Sequence, residues 1–272
     1  MSNIFENTLI VSDLDGTLLN RDMLICACDL EAIKLFCLLG GKFTFATGRS
    51  IEAARPYVEQ LNINTPVILY NGALIYDFQK EKALYTKFLP EQAKKAIKHL
   101  IETFPSVGSE VMADNYRIYI TNATKYTYTH TEEEKLDYIL KDFAHVSNRL
   151  FKALFSCDFN TQQLLAQESL QISQEGFYFV PTADHYYELV SSGISKGTAL
   201  EILTEQLSIP LKNTISIGDY YNDIELLETA GYAVAMSNAP AEVKQVADEI
   251  AFPVENGGLG LFLYELIKKY QQ

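Results

Sequence analysis

The chain has 272 residues, of which 48% are hydrophobic and 21% are charged, as in an ordinary globular protein with a buried core. Its 35 acidic residues outnumber its 22 basic residues, and the net charge of −13 argues against a nucleic-acid-binding protein, which needs a basic face. No run of about 18 apolar residues occurs, so we expect no membrane-spanning helix and no membrane partner.

The four cysteines and residues 1–6 indicate in which cellular compartment the protein is expected. Cys26 and Cys28 are separated by a single residue, whereas the cysteines of zinc knuckles are separated by about two to four. Together with Cys37 and Cys157 they are more simply explained as free thiols in a reducing compartment. Residues 1–6 lack the basic start and long apolar run of a signal peptide. We therefore expect a cytoplasmic protein.

The first third of the chain alternates strands with helices. Apolar runs predict strands over residues 8–12, 42–46 and 66–70, and the intervening segments predict helices over residues 29–39 and 51–61. Strands that alternate with helices form right-handed βαβ units, and such units build a parallel sheet. We therefore expect the chain to begin as a parallel α/β domain.

Residues 84–187 have a different pattern. They contain strands rich in Tyr, Phe and Thr with regular alternation, for example at residues 116–120. Helices are predicted between these strands, near residues 91–104, 132–143 and 160–170. This mixture predicts an α+β domain that is inserted between two halves of a parallel-sheet domain.

The last third returns to alternating helices and strands. The predicted helices cover residues 196–207, a segment ending near 230, residues 240–247, and a segment starting near 259. The predicted strands cover residues 214–217, 232–236 and 250–252. The expected fold class is therefore α/β, with a Rossmann-like, doubly wound parallel sheet formed by residues 1–83 and 188–272. Residues 84–187 form the inserted α+β domain.

Polar side chains follow the predicted strands at their carboxyl ends, where open parallel sheets carry functional residues. Asp13 and Asp15 follow the first strand. Two carboxylates a residue apart repel each other and call for a cation or a shared proton, although a simple turn also accepts an Asp. The other groups of this kind are Thr47-Gly48-Arg49, Asn71-Gly72, Ser195-Lys196-Gly197 and Gly218-Asp219 with Asn222-Asp223.

Each of these groups has a purely structural alternative. Thr47-Gly48-Arg49 and Asn71-Gly72 can be turns, and Ser195-Lys196-Gly197 can be a helix N-cap followed by a solvated lysine. Asp219 and Asp223 can be acids that the helix dipole favours at a helix start. The joint arrangement favours a functional interpretation, because all the groups fall where one sheet would present them.

The same residue types meet the needs of phosphoryl transfer. A nucleophile must lie in line with the leaving oxygen, positive charge must face the other phosphate oxygens, and an acid must protonate the leaving alcohol. Asp13 can be the nucleophile and Asp15 the acid and base. Mg²⁺ prefers about six oxygen ligands. Asp13, a carbonyl near Asp15, and Asp219 can supply part of that set, while Thr47 and Lys196 can neutralise the phosphate oxygens.

Four segments resemble, in order along the chain, the motifs of the haloacid dehalogenase (HAD) superfamily of aspartyl-phosphate phosphatases. They are Asp13-Leu14-Asp15-Gly16-Thr17-Leu18-Leu19, Ala46-Thr47-Gly48-Arg49, Ile194-Ser195-Lys196-Gly197 and Gly218-Asp219-Tyr220-Tyr221-Asn222-Asp223. The insert lies between the second and third motifs, after Asn71-Gly72-Ala73, and this placement resembles the Cof-like branch with a type IIB cap. The resemblance covers essentially the whole chain.

The resemblance implies a role for each motif residue. Asp13 corresponds to the nucleophile and a metal ligand, and Asp15 to the general acid and base with its main-chain carbonyl on the metal. Asp219 corresponds to the third protein ligand of Mg²⁺, and Asp223 to an outer support for the metal or Lys196. The implied phosphate-binding or substrate-binding residues are Leu14, Thr47, Gly48, Arg49, Asn71, Lys196 and Asn222, with Leu14 and Gly48 acting through their backbone amides.

The implied activity is Mg²⁺-dependent hydrolysis of small phosphate monoesters, such as sugar phosphates or phosphorylated cofactors, through an aspartyl-phosphate. Asp15 supports this activity, because phosphatase members of the family keep this acid and dehalogenase members lack it. The partner is then a small phosphorylated metabolite, and we expect a monomer or a weak homodimer. The insert would be a cap that selects the substrate. Its candidate contacts, which can also be solvated or packing residues, are Lys125, Tyr126, Tyr128, His130, Arg117 and His185.

Two alternatives stay open. Sugar phosphomutases of this family more often carry a smaller cap between the first two motifs, and the roughly 30 residues between Asp15 and Thr47 are too few for one. A non-catalytic regulator on the same scaffold is expected to have a degenerate site, which these motifs do not show. A dinucleotide-binding domain is disfavoured, because no Gly-x-Gly-x-x-Gly follows the first strand.

Overall fold

The fold comes from a computed structural model that describes residues 3–133, 135–146, 148–172, 175–183 and 185–271. The strands are β1 (Leu9–Ser12), β2 (Lys42–Phe45), β3 (Val67–Leu69), β4 (Leu74–Asp77), β5 (Lys82–Thr86), β6 (Gly108–Ala113), β7 (Ile118–Asn122), β8 (Tyr138–Leu140), β9 (Leu150–Ser156), β10 (Phe177–Ala183), β11 (Tyr186–Ser191), β12 (Thr214–Gly218), β13 (Tyr232–Met236) and β14 (Glu249–Ala251). The helices are α1 (Ala27–Leu38), α2 (Ile51–Leu61), α3 (Glu91–Thr103), α4 (Lys125–Glu133), α5 (Phe159–Ser169), α6 (Lys196–Leu207), α7 (Ile224–Thr229), α8 (Ala241–Gln245) and α9 (Gly258–Gln271). None of the described helices combines the length and the apolar character that crossing a membrane requires.

The chain folds as two compact units. The first unit consists of Met1–Arg49, Ala54–Thr86 and Ile194–Gln272, and the second consists of Ser50–Ala53 and Lys87–Gly193. The second unit therefore interrupts the first in sequence. Its two main junctions lie a few residues further along the chain than the boundaries that the sequence predicts.

A five-stranded parallel sheet forms the centre of the first unit, in the order β14-β13-β12-β1-β2. Residues 9–11 of β1 are fully buried, as expected for a continuous apolar strand with a neighbour on each side. Ser12 at the end of β1 is level with Phe45 in β2 and Ile217 in β12. The chain thus leaves these three strands at one edge of the sheet. The predicted α/β fold with a parallel sheet is confirmed.

The strand predicted at residues 66–70 pairs differently from the expectation. β3 makes one parallel bridge to the end of β2 and otherwise pairs antiparallel with β4, which in turn pairs with β5. The chain reverses at Asn71 and Gly72, whose φ angles are 53° and 105°. A side chain at Gly72 would collide with the carbonyl group of Ser195. This turn therefore needs glycine both for its left-handed backbone and for its close approach to the start of α6.

A buried acid joins α1 to α9 in the first unit. Oδ1 of Asp29 accepts a hydrogen bond from the backbone N–H of Gly260 over 2.6 Å. Oδ2 is buried and has no hydrogen-bond partner among the described residues. Burial raises the pKa of Asp29 from its ordinary value of 3.8 to about 6, against the opposing effect of the Gly260 hydrogen bond. The hydrogen bond satisfies a backbone N–H group in the first turn of α9, but it requires a carboxyl group to be buried.

The second unit contains a six-stranded sheet in the order β10-β11-β9-β6-β7-β8. All neighbours are antiparallel except β7 and β8, which are parallel. A core of buried residues joins α3 and α5 to one face of the sheet, and it includes Ile97, Leu100 and Leu165 together with Val111 and Phe155. The prediction of an α+β domain in the middle of the chain is confirmed.

The helix predicted near residues 132–143 is wrong, because α4 ends at Glu133, near its predicted start, and β8 lies within the predicted range. Lys135 has a φ of 55°, and the N–H of Leu136 donates to the carbonyl oxygen of Thr131 over 2.9 Å, a common way for a helix to end. Thr127 and Thr131 lie inside α4, where their hydroxyl groups bond carbonyls of the preceding turn. Such bonds let β-branched residues, which usually favour strands, lie in a helix.

Candidate active site

Acids and a lysine that are distant in sequence lie together in the first unit. Asp13 follows β1, and its backbone N–H donates to the carbonyl oxygen of Ile217 in β12 over 2.7 Å. Asp219 follows β12, the neighbour of β1, and Lys196 begins α6. Oxygens of Asp13, Asp219 and Asp223 lie within 4.8 Å of one another. The adjacent strand ends thus produce the convergence that the sequence predicts.

Lys196 links two of these acids. Its Nζ lies 2.6 Å from Oδ1 of Asp13 and 2.7 Å from Oδ1 of Asp223, and its side chain is 1% exposed. Ser195, directly before it, is the N-cap of α6 and accepts a hydrogen bond from the N–H of Thr198. The structural alternative therefore holds for Ser195, which caps the helix. It does not hold for Lys196, which is buried in an ion pair rather than solvated.

Burial shapes the protonation of this cluster. Removal from water, together with the charge of Asp223, raises the pKa of Asp13 well above its ordinary value, and Lys196 opposes this shift. Burial would lower the pKa of Lys196, but its two carboxylate partners outweigh burial and raise it. Burial also raises the pKa of Asp219 to about 6, despite a hydrogen bond from Thr17. One lysine thus faces the charge of three acids.

Asp223 is held by protein groups at both carboxylate oxygens. Its Oδ1 accepts from Lys196, and its Oδ2 accepts the backbone N–H groups of Asp219 over 2.9 Å and Tyr220 over 3.0 Å. Gly218 provides the space, because a Cβ at that position would lie 2.6 Å from the Cβ of Asp223. These contacts fix the turn that carries Asp219, and they fit a supporting role for Asp223.

Two further side chains orient Asp219. The hydroxyl of Thr17 donates to its Oδ1 over 2.7 Å, and Nδ2 of Asn238 donates to its Oδ2 over 3.1 Å. Asn238 also donates to the carbonyl oxygen of Gly16 over 2.9 Å. Sequence reasoning assigned no contact to Asn238. The available signal was its position just after β13, at the same edge of the parallel sheet as the predicted residues.

The three clustered acids suit a divalent cation. They offer only oxygen donors, which hard cations such as Mg²⁺ and Ca²⁺ prefer. Three carboxyl groups share one lysine, and the raised pKa values of Asp13 and Asp219 mean that their ionised forms lack stabilising positive charge. A bound cation would supply the missing positive charge. The chemistry of the donor set therefore fits the metal that the sequence predicts.

Asp15 forms a bidentate ion pair with Arg49. Nε and Nη2 of Arg49 donate to Oδ2 and Oδ1 of Asp15 over 2.9 and 2.7 Å. Arg49 is buried and its guanidinium lies over the ring of Tyr57, whereas the Asp15 side chain is 45% exposed. Leu14, between the two motif acids, is fully buried. The sequence placed Arg49 among the phosphate-binding residues, and no spacing in the sequence indicates its pairing with Asp15.

The remaining predicted residues lie on the turns after β2, β3 and β12. Thr47 is buried, and its Oγ1 accepts from the backbone N–H of Arg49 over 3.2 Å. The carbonyl oxygen of Thr47 accepts from the backbone N–H of Asn71 over 3.0 Å, and Oδ1 of Asn71 accepts from Nδ2 of Asn222 over 3.2 Å. A Cβ at Gly48 would lie 3.1 Å from Nδ2 of Asn71. Hydrogen bonds thus connect the turns that follow β2, β3 and β12.

The candidate cap residues lie in the second unit. Nζ of Lys125 is 4.7 Å from the ring centre of Tyr126, which is 5.4 Å from the ring of His185. Nδ1 of His130 lies 2.9 Å from Oε2 of Glu110, and both side chains are buried. This burial fits the packing interpretation of His130. The other two candidates in this unit are Arg117 and Tyr128.

Comparisons with known proteins agree with this geometry. A family model described as haloacid dehalogenase-like hydrolase matches residues 10–263. The chain is 28% identical over 269 residues to 5-amino-6-(5-phospho-D-ribitylamino)uracil phosphatase YitU of Bacillus subtilis (strain 168), covering 94% of this chain and 96% of that protein. It is 29% identical over 289 residues to phosphatase YwpJ of the same organism, covering 95% and 99%.

A solved structure extends the likeness to three dimensions. The crystal structure of a haloacid dehalogenase-like hydrolase from Bacteroides thetaiotaomicron matches with a TM-score of 0.88 and 26% identity, over 95% of this chain and 99% of that one. The resemblance drawn from the four motifs and the prediction of a hydrolytic enzyme are confirmed. The chain belongs to the haloacid dehalogenase-like hydrolase family.

Proposed function

We propose that this protein is a Mg²⁺-dependent phosphatase that hydrolyses small phosphate monoesters through an aspartyl-phosphate intermediate. The observation that carries the proposal is the buried carboxylate of Asp13, which lies 2.6 Å from Nζ of Lys196 and is grouped with Asp219 and Asp223. The two relatives from Bacillus subtilis are both named as phosphatases, which supports the same class of reaction.

Asp13 is the proposed nucleophile. Lys196 donates to its Oδ1, which orients the carboxylate and leaves Oδ2 to attack phosphorus. The bond between phosphorus and the leaving oxygen breaks as the bond from Asp13 forms, and water then releases inorganic phosphate and regenerates Asp13. Because burial raises the pKa of Asp13, neighbouring positive charge has to keep it ionised for the attack.

Asp15 is the proposed acid and base, and Arg49 is its positioning residue. In the first step Asp15 gives a proton to the leaving oxygen, and in the second step it takes one from the attacking water. The bidentate pair with Arg49 is made by the ionised carboxylate, which is the form that activates water. An oxygen of Asp15 that carries the proton is a poorer acceptor, so one arm of the pair is open before the first step and forms as Asp15 gives up its proton.

The cation and the phosphate group have separate sets of proposed partners. Asp13, Asp219 and the carbonyl group of Asp15 are proposed to hold Mg²⁺, and Asp223 supports Lys196. When bound, the cation supplies positive charge against the phosphate oxygens. The proposed phosphate contacts are the side chains of Thr47, Asn71, Lys196 and Asn222 and the backbone amides of Leu14 and Gly48.

The substrate class is a small phosphorylated metabolite, such as a sugar phosphate or a phosphorylated cofactor. The relative YitU supports this class, because its name specifies a phosphorylated ribityl compound. The residues that distinguish one metabolite from another are proposed to lie in the second unit, which would then be the cap expected from the resemblance.

The proposal is tested by phosphate release over a panel of sugar phosphates, nucleotides and phosphorylated cofactors, with Mg²⁺ and with a chelator. We expect turnover of small monoesters that needs the metal. Asp13→Asn should abolish turnover while substrate binding persists, because the amide does not attack phosphorus. Asp22→Asn, a change at an exposed acid in the same unit, is the matched control and should leave turnover unchanged.

Three results would contradict the proposal. Near-normal turnover by Asp13→Asn would exclude the covalent route. An isomerised sugar phosphate in place of free phosphate would favour the phosphomutase alternative. An absence of phosphate release across the whole panel would favour a ligand-binding regulator on the same scaffold.

A further inference from the structure

β8 is an unusually apolar edge of the second unit's sheet. It lies at the end of the strand order, and β7 is its only partner among the described strands. Tyr138, Ile139 and Leu140 are 40%, 43% and 60% exposed, and no other run of three exposed large apolar residues occurs in the described part of the chain. An open strand edge with exposed apolar side chains is a template for pairing with another strand.

The backbone of β8 can accept a further strand. The N–H of Lys141 donates to the carbonyl oxygen of Ile120 over 3.1 Å, so the backbone groups of Lys141 face β7. Backbone groups alternate in direction along a strand. Those of Ile139 therefore also face β7, and the N–H and carbonyl groups of Tyr138 and Leu140 point away from the sheet, where a further strand would lie.

The sequence around β8 is complementary to itself. An antiparallel pair of two copies centred on Ile139 places Tyr138 opposite Leu140, and these two residues carry the outward backbone groups. The same register places Asp137 opposite Lys141, an opposite-charge pair formed twice by symmetry. Those two residues occupy non-hydrogen-bonded positions, where facing side chains of an antiparallel pair lie closest.

The neighbouring registers lack this match. Centring the pair on Tyr138 places Lys141 opposite Lys135, and centring it on Leu140 places Lys141 opposite Ile139. Nζ of Lys141 lies 5.1 Å from the ring centre of Tyr119, which is level with Ile139 in the sheet. The ammonium group of Lys141 therefore lies on the same face of the sheet as Ile139, which is the face where the proposed Asp137–Lys141 pairs would lie.

We propose that two copies of this chain associate through β8, in an antiparallel pair centred on Ile139 that joins the two six-stranded sheets into one. The partner is a second copy because the register, the outward backbone groups and the charges all match the strand's own sequence. The association does not depend on the proposed phosphatase reaction, and its test does not use activity.

Sedimentation velocity of the full-length chain over a series of concentrations tests the proposal. We expect a reversible dimer whose fraction rises with concentration. Asp137→Lys should raise the dissociation constant about tenfold, because two opposite-charge pairs become two like-charge pairs. Combining Asp137→Lys with Lys141→Asp should restore it. Leu164→Lys, at a 54% exposed apolar residue of α5, is the matched control and should have no effect.

Leu140→Pro is a second and independent variant. It removes an outward N–H group that the proposed pair uses, and proline is tolerated on edge strands. We expect weaker dimers with an unchanged far-UV circular dichroism spectrum. A chain that is monomeric at every concentration overturns the proposal. A dimer whose dissociation constant is the same in Asp137→Lys, in Leu140→Pro and in the unmodified chain also overturns the proposal.

Discussion

Each unit of this protein buries a lysine against carboxylates, and the two arrangements differ in charge balance. In the first unit Lys196 contacts Asp13 and Asp223 over 2.6 and 2.7 Å, and Asp219 lies nearby. In the second unit Nζ of Lys152 lies 2.7 Å from Oε1 of Glu188, and both side chains are nearly buried. The first cluster has more acids than its lysine offsets, whereas the second contains an ion pair between a lysine and a glutamate of neighbouring strands.

The difference in position matches the difference in charge. Asp13 and Asp219 follow neighbouring strands of a parallel sheet, at the carboxyl ends where open sheets of this kind carry functional residues. Lys152 and Glu188 lie within β9 and β11, where side chains are fixed by the sheet itself. The comparison therefore separates a cluster that calls for a cation from an ion pair that belongs to packing. The variants below test that separation, from the largest expected effect to the smallest.

Lys196→Met should have the largest effect, a fall in kcat of about a thousandfold, or about 4 kcal/mol, because it removes the positive charge that faces Asp13 and the phosphate. Steady-state phosphate release with the best substrate of the panel measures the change. Lys212→Met, at an exposed lysine, is the control and should leave kcat unchanged. A loss smaller than about tenfold would mean that Lys196 is a packing residue like Lys152.

Lys152→Met should destabilise the protein by about 3 kcal/mol, because it leaves Glu188 buried without its cation. Urea unfolding measures this loss. The double variant with Glu188→Leu should recover most of the stability, since a buried ion pair can be replaced by apolar side chains. A double variant no more stable than Lys152→Met alone would show that the pair is not an isolated packing unit.

Asp29→Asn tests whether burial alone raises a carboxyl pKa without any catalytic role. The folded pKa of about 6 exceeds the ordinary 3.8, so ionised Asp29 destabilises the fold. The penalty is absent below pH 3.8, grows between the two values and is complete above about pH 6. Asp29→Asn should therefore be more stable than the unmodified chain by about 2 kcal/mol at neutral pH, with a difference that vanishes near pH 4.

Urea unfolding across this pH range measures the Asp29→Asn effect. Asp22→Asn, at an exposed acid, is the control and should show no such dependence. A difference in stability that does not change with pH would mean that Asp29 acts through its hydrogen bond to Gly260 rather than through its charge.

Arg49→Lys should lower kcat about tenfold and change KM less, because lysine lacks the planar arrangement that holds both oxygens of Asp15. Arg55→Lys is a matched control, since Arg55 also makes a bidentate pair, with Glu81, but at an exposed position. A rise in KM with kcat unchanged would instead place Arg49 on the substrate, as the sequence suggested.

The site was largely predictable because strands that are distant in sequence lie side by side in a parallel sheet, so the residues that follow them lie close together. Asp13, Lys196 and Asp219 follow strands or begin a helix, and the rule that such positions share one edge brought them together. The pairing of Arg49 with Asp15 was not predictable. A long side chain can reach several neighbours from one backbone position, and the choice depends on packing contacts such as that of Tyr57.

The fold shows the same division. Apolar runs such as residues 9–11 identified buried strands, although the equally apolar β3 pairs mainly antiparallel with β4. The helix predicted near residues 132–143 was misplaced, because hydroxyl groups of Thr127 and Thr131 find acceptors within a helix that begins earlier, at residues that usually favour strands. Such local compensation depends on individual hydrogen bonds and leaves little trace in the periodicity of the sequence.

The Asp13–Lys196 ion pair joins residues that are 183 positions apart. On the ribosome β1 emerges early, and its neighbour β12 emerges only after Lys87–Gly193 has been made. The second unit is nearly continuous in sequence, so it can complete its sheet while β1 has β2 beside it but still lacks β12. A growing chain therefore carries Asp13, the proposed nucleophile, through most of its synthesis without Lys196 and Asp219, and the proposed active site assembles only when the last third of the polypeptide folds.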